Sequence, residues 1–120
     1  MPAVIVGYAR SPFTPAKKGA LARTRPDDIA AAVVDSLLSD VGIEPNQVDD
    51  LVVGCAFPEA EQGYNLARII TFLSKLPETV PGVTINRFCG SSMQAIHDAA
   101  ARINAGHGDA YIAGGVESMT

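Results

Sequence analysis

Cys89 offers the most direct covalent chemistry in this chain. It stands in Val83-Thr84-Ile85-Asn86-Arg87-Phe88-Cys89-Gly90-Ser91-Ser92-Met93, where a β-branched run passes through Cys-Gly-Ser-Ser into an Ala-rich segment. The run at 83–85 predicts a buried strand and residues 93–105 predict a helix, so Cys89 falls at a strand–helix junction. The first N–H groups of a helix lack intrahelical partners and carry partial positive charge. Both effects favour a thiolate, the nucleophilic form of cysteine. The same N–H groups can hydrogen-bond an oxyanion forming on a carbonyl under attack. Gly90 removes side-chain bulk beside the sulfur. A small, buried cysteine of purely structural use fits the same position, and periodicity does not decide between the two readings.

A cysteine that forms an acyl intermediate also needs a base to take its proton and return one later. Only two histidines are present, His97 and His107. His97 follows Cys89 by eight positions on the same expected helix, a rise of about 12 Å and too far for an imidazole–sulfur hydrogen bond. His107 follows Gly106 near the expected helix end, where a cation can satisfy terminal carbonyls. The other cysteine, Cys55, ends an apolar run and reads as a small core residue. No Cys-x-x-Cys pair and no metal-type spacing surrounds either thiol.

The elements that must position Cys89 follow from apolar patterning. Val4-Ile5-Val6-Gly7-Tyr8-Ala9 predicts a first strand, and residues 10–25, with Pro12, Pro15 and Gly19, predict a long loop. Thr24-Arg25-Pro26-Asp27 predicts a helix start capped by Thr24. The helix carries a stripe of Ile29, Val33, Leu37 and Val41, widened by Ala30, Val34 and Leu38, and stops at Gly42. Leu51-Val52-Val53-Gly54-Cys55 predicts strand two, followed by a loop over residues 58–63. Asn65 opens a helix bearing Leu66, Ile69, Ile70 and Leu73, which ends before Pro77. Strand three at 83–86, the helix after Cys89 and strand four at 110–114 complete a β-α-β-α-β-α-β order. Continuous apolar strands joined by helices predict an α/β fold with a mostly parallel sheet covered on both faces. Ligands of such sheets bind beyond the carboxyl ends of the strands, where Cys89 falls. The chain stops directly after the last expected strand, which predicts a truncated domain.

Composition narrows the function classes. The chain has 120 residues, enough for one small domain, and is 48% hydrophobic with no Trp. Nine basic against thirteen acidic residues give a net charge of −4, with no basic run longer than Lys17-Lys18. Nucleic acid and anionic membranes are excluded as partners on that ground. The first apolar run is too short for a signal peptide or a membrane span, so a reducing cytoplasm with two free thiols is expected. So aliphatic a chain of this length is expected to expose apolar surface that something else covers.

With these residues laid out, the chain resembles the N-terminal part of thiolases over its whole length. Asn86-Arg87-Phe88-Cys89-Gly90-Ser91-Ser92-Met93-Gln94-Ala95 is similar to the family's acyl-enzyme signature, with Cys89 at the nucleophile position. Three further stretches match in order and spacing: Ala9-Arg10-Ser11-Pro12-Phe13 with Gly19 and Leu21, then Glu61-Gln62-Gly63-Tyr64-Asn65-Leu66-Ala67-Arg68, then Gly114-Gly115-Val116-Glu117-Ser118-Met119. The resemblance implies a fold in which two similar domains stack as αβαβα layers, of which residues 1–120 are part of the first. It implies thiolytic cleavage of a 3-ketoacyl-CoA through a Cys89 thioester, as in fatty-acid β-oxidation. Coenzyme A is then a co-substrate, no bound cofactor or metal is required, and the partner is a second copy or the remainder of a thiolase. Ser92 and Met93 resemble the β-oxidation members more than the acetoacetyl-CoA thiolases (acetyl-CoA acetyltransferases), which more often carry Cys-Gly-Ser-Gly. Family members carry a coenzyme A loop, a Gly-His-Pro histidine and a Cys-x-Gly cysteine in later segments. These 120 residues contain none of them, so the chain alone is expected to be inactive. A non-catalytic assembly module is the alternative.

Overall fold

The computed structural model describes residues 2–120. Its first regular element is α1 (Pro26–Val41). Pro26 sets the backbone of the first turn, and Asp27 and Asp28 complement the helix dipole. The cap position is Arg25 rather than the expected Thr24. The Thr24 N–H is drawn into a preceding turn, donating to Leu21 O at 3.0 Å. Buried Asp27 anchors the helix start instead, accepting from the Arg25 guanidinium at 2.9 Å and from the Asp28 N–H at 2.9 Å. Gly42 closes the helix, its N–H donating to Leu38 O.

Three parallel strands follow in the spatial order β2-β1-β3: β1 (Asp50–Gly54), β2 (Val83–Ile85) and β3 (Tyr111–Gly115). The central strand β1 is buried throughout, as its continuous apolar sequence requires. Side chains alternate across it. Leu51 and Val53, with Cys55 just beyond, join one core with Ala31, Val34 and Leu38 of α1 and with Leu66, Ala67 and Ile70 of α2 (Leu66–Leu73). Val52 points the other way, towards α3 (Ser91–Asn104), whose buried face is Ser91, Ala95 and Ala99. The expected parallel α/β sheet with helices on both faces is therefore present.

The first expected strand is not. Residues 4–9 make no sheet ladder, and Val4, Ile5 and Val6 are 75%, 80% and 75% exposed. The segment instead runs past the end of α1, where Gly7 lies close to Val41 and Leu37. This explains a second difference: Ala31, Val34 and Leu38 form the buried face of α1, while Ile29, Val33, Leu37 and Val41 are only half-buried. Apolar spacing located the helix correctly but took two adjacent stripes as one.

α2 opens at Asn65, as expected, and one of its first N–H groups is served from the neighbouring strand. Thr84 Oγ1 accepts from the Ala67 N–H at 3.0 Å and donates to Asn65 Oδ1 at 2.7 Å. At the opposite end of the sheet, Asp50 accepts from Arg102 at 2.9 Å and from the Gly82 N–H at 2.9 Å, tying β1 to α3 and to the entry of β2. Among the described residues, no helix is long and apolar enough to cross a membrane.

Candidate active site

The registers Gly54↔Ile85 and Gly54↔Gly115 bring the carboxyl ends of all three strands to one edge. Asn86 to Gly90, Cys55 to Phe57, and Val116 to Ser118 all issue from that edge. Cys89 is exposed and free in the turn between β2 and α3. The sequence reading thus located its neighbourhood correctly, and the alternative of a buried structural cysteine does not hold at this position.

The Cys89 turn is built from short side-chain bonds. Ser91 is buried, and its Oγ accepts from the Arg87 N–H at 2.8 Å and donates to Phe88 O at 2.6 Å. Asn86 Oδ1 accepts from the Phe88 N–H at 2.8 Å. These bonds hold Phe88, directly before the cysteine, at φ +47°. A bulky residue in that region costs about 1–3 kcal/mol and persists only where its surroundings enforce it. The backbone N–H groups of Gly90, Ser91 and Gln94 donate to Arg87 O, Phe88 O and Gly90 O. The Gly90 and Ser91 donors are thus occupied within the turn, and that of Gln94 within the helix, so an oxyanion beside Cys89 must draw on others.

α3 can start this close to the sheet because two strand ends lack side chains. A Cβ on Gly54 would stand 2.4 Å from the Ser91 carbonyl carbon and 2.6 Å from the Ser92 nitrogen. A Cβ on Gly115 would meet Ser92 Oγ. The first turn of α3 is seated directly on β1 and β3, which fixes the height of the Cys89 turn above the sheet edge.

Sequence reasoning missed a second cluster beside this turn. The Glu117 carboxylate accepts from the backbone N–H groups of Ala56 at 2.6 Å and Phe57 at 3.2 Å, and from Gln62 Nε2 at 3.1 Å. Gln62, 4% exposed, also donates to Phe57 O and accepts from the Ser118 N–H. Both residues lie in stretches that carry the family resemblance, but the bonds that bring Glu117 and Ser118 onto Ala56, Phe57 and Gln62 span between 55 and 61 positions. Local periodicity holds no trace of such contacts.

Cys55 is buried, as expected, with its Sγ 3.7 Å from Glu117 Oε2. Burial first, and the Glu117 charge second, push its thiol from 9.0 up to about 11. His97 is exposed on α3, six positions beyond the helix start, about 9 Å along the axis. His107 is exposed after the end of α3, where its backbone N–H, rather than its side chain, bonds Arg102 O. No group of three His, Cys, Asp or Glu among the described residues can hold a metal ion.

Fold and site together define a parallel α/β domain that presents an exposed cysteine at a strand–helix elbow. Comparison with known proteins narrows this class. The family described as "Thiolase, N-terminal domain" matches residues 3–120, and the chain belongs to the thiolase family. The 3-ketoacyl-CoA thiolase of Bacillus subtilis (strain 168) is 52% identical over 118 residues, covering 98% of this chain and 30% of the relative. The 3-ketoacyl-CoA thiolase of Saccharophagus degradans is 49% identical over 117 residues, covering 97% and 30%. The crystal structure of the Bacillus anthracis acetyl-CoA acetyltransferase superposes with a TM-score of 0.89 at 34% identity, over 99% of this chain and 30% of that one. The chain thus spans about 30% of the length of the curated relatives it matches.

Proposed function

We propose that this chain supplies the nucleophile of a 3-ketoacyl-CoA thiolase acting in fatty-acid breakdown. The observation that carries the reading is the exposed Cys89 thiol at the strand–helix elbow of a thiolase N-terminal domain. In the proposed reaction the Cys89 thiolate attacks the keto carbon, forming a thioester as the bond between that carbon and the α-carbon breaks. The electron pair leaves on the acetyl-CoA enolate, which takes up a proton. The thiol of coenzyme A then attacks the thioester, releasing the shortened acyl-CoA and restoring Cys89. Relatives named 3-ketoacyl-CoA thiolase, at 52% and 49% identity, favour this substrate class over acetoacetyl-CoA, towards which the 34% identical acetyltransferase points.

The proton for the enolate has no source in these residues. His97 and His107 stand on or beyond α3, away from the Cys89 turn, and losing a general acid costs about a hundred- to ten-thousand-fold. In our reading the 120-residue chain accepts an acyl group on Cys89 but does not turn over. The segments that complete the reaction lie in the remaining length of the relatives, and the reading includes a cytoplasmic setting and association with a second copy or with that remainder. A thiolysis assay on the purified chain, with Cys89→Ala as control, tests this. No Cys89-dependent turnover is expected. Turnover at a normal enzymatic rate would show that the chain holds its own acid.

A further inference from the structure

We infer that Glu117 is a positioning residue for Cys89, acting through a relay of hydrogen bonds that runs from its carboxylate to the Cys89 turn. The inference rests on Cys89 being the nucleophile. The relay begins where Glu117 accepts from the Ala56 and Phe57 N–H groups at 2.6 and 3.2 Å, fixing the loop that leaves β1. The carbonyl of the same Ala56 accepts from Asn86 Nδ2 at 3.1 Å. The other end of that amide, Asn86 Oδ1, accepts from the Phe88 N–H at 2.8 Å, one residue before Cys89.

Each link depends on the chemistry of its side chain. A carboxylate offers acceptors only, which suits two convergent backbone N–H donors and the Gln62 amide. Asn86 must present both a donor and an acceptor, so neither Asp nor Ala can bridge the loops. Phe88 lies at φ +47°, a conformation its own side chain disfavours. Releasing Asn86 therefore allows the residue before Cys89 to relax out of place. Ser91 braces the same peptide from the helix side, through Arg87 N–H and Phe88 O, leaving the relay to set the side that faces β1. Cys55, 3.7 Å from Glu117, donates to the same carboxylate and stays protonated.

The test is the rate of Cys89 alkylation by iodoacetamide, measured with acylation by acetyl-CoA, in the chain and in Glu117→Gln, Asn86→Ala and the double variant. Hydrogen exchange at the Phe88 amide is followed in parallel. A nucleophile displaced from a bound acyl donor loses on the order of ten- to a hundredfold in rate, so each single variant should lose about that much in acylation. Alkylation should fall by less, as the thiol leaves the helix start that favours its thiolate, and Phe88 should exchange faster. Because the two residues act in series, the double variant should be little slower than Asn86→Ala alone. Additive losses, or a folded Glu117→Gln with unchanged alkylation and Phe88 exchange, would overturn the inference. If Glu117→Gln does not fold, Asn86→Ala decides, since it leaves every bond of Glu117 in place. A folded Asn86→Ala with wild-type alkylation then overturns the relay. Failure of the nucleophile reading would look different: acylation absent from the parent chain while the alkylation rates still respond to the variants.

Discussion

Cys89 and Cys55 sit at the same sheet edge in opposite surroundings. Cys89 is exposed in the elbow, whereas Cys55 is buried under the loop that Glu117 holds, with its thiol pushed up to about 11. Alkylation needs the thiolate, so raising the Cys55 value starves that residue of its reactive form at neutral pH, and burial blocks access as well. Iodoacetamide near neutral pH should therefore modify Cys89 first and spare Cys55 until the solution approaches pH 11. Peptide mapping of partly labelled, folded chain checks this, and equal rates at the two thiols would contradict it. Cys89 was legible because a β-branched run, a Gly-Ser turn and an Ala-rich helix announce an elbow locally. Glu117, Gln62 and Asn86 were not, because their bonds join residues between 30 and 62 positions apart or depend on a turn no propensity reveals.

At the scale of elements, the three helices and β1 to β3 were legible because each carries its own period or apolar run. Val4-Ile5-Val6 reads equally well as a strand, but a strand exists only where another backbone pairs with it, and sequence pattern is blind to the partner. The same blindness hid the role of Gly54 and Gly115, which is to let the first turn of α3 rest on the sheet. Gly54→Ala tests that role. Its Cβ would stand 2.4–2.6 Å from backbone atoms of Ser91 and Ser92, so α3 must move. The variant should lose about 1–3 kcal/mol of stability, the usual cost of overpacking, and should slow Cys89 alkylation as the elbow shifts. Urea midpoints together with alkylation rates measure both effects. An unchanged midpoint would show that the helix start has slack.

Over the whole molecule, much apolar surface faces solvent: Val4, Ile5, Tyr8, Phe13, Tyr64 and Phe88 are all exposed, Tyr64 to 95%. A surface of this kind marks an interface or an aggregation risk, and the chain spans only about 30% of the length of its relatives. The chain should therefore self-associate, with sedimentation velocity showing species that grow with concentration. A stable monomer at high concentration would contradict that expectation. The central claim is narrower: Cys89 accepts an acyl group. Acetyl-CoA incubated with the folded chain, followed by proteolysis and mass mapping under conditions that preserve thioesters, tests it most directly. The account predicts an acetyl adduct confined to the Cys89 peptide and absent from Cys89→Ala. No adduct at Cys89, or equal acetylation of Cys55, would contradict it.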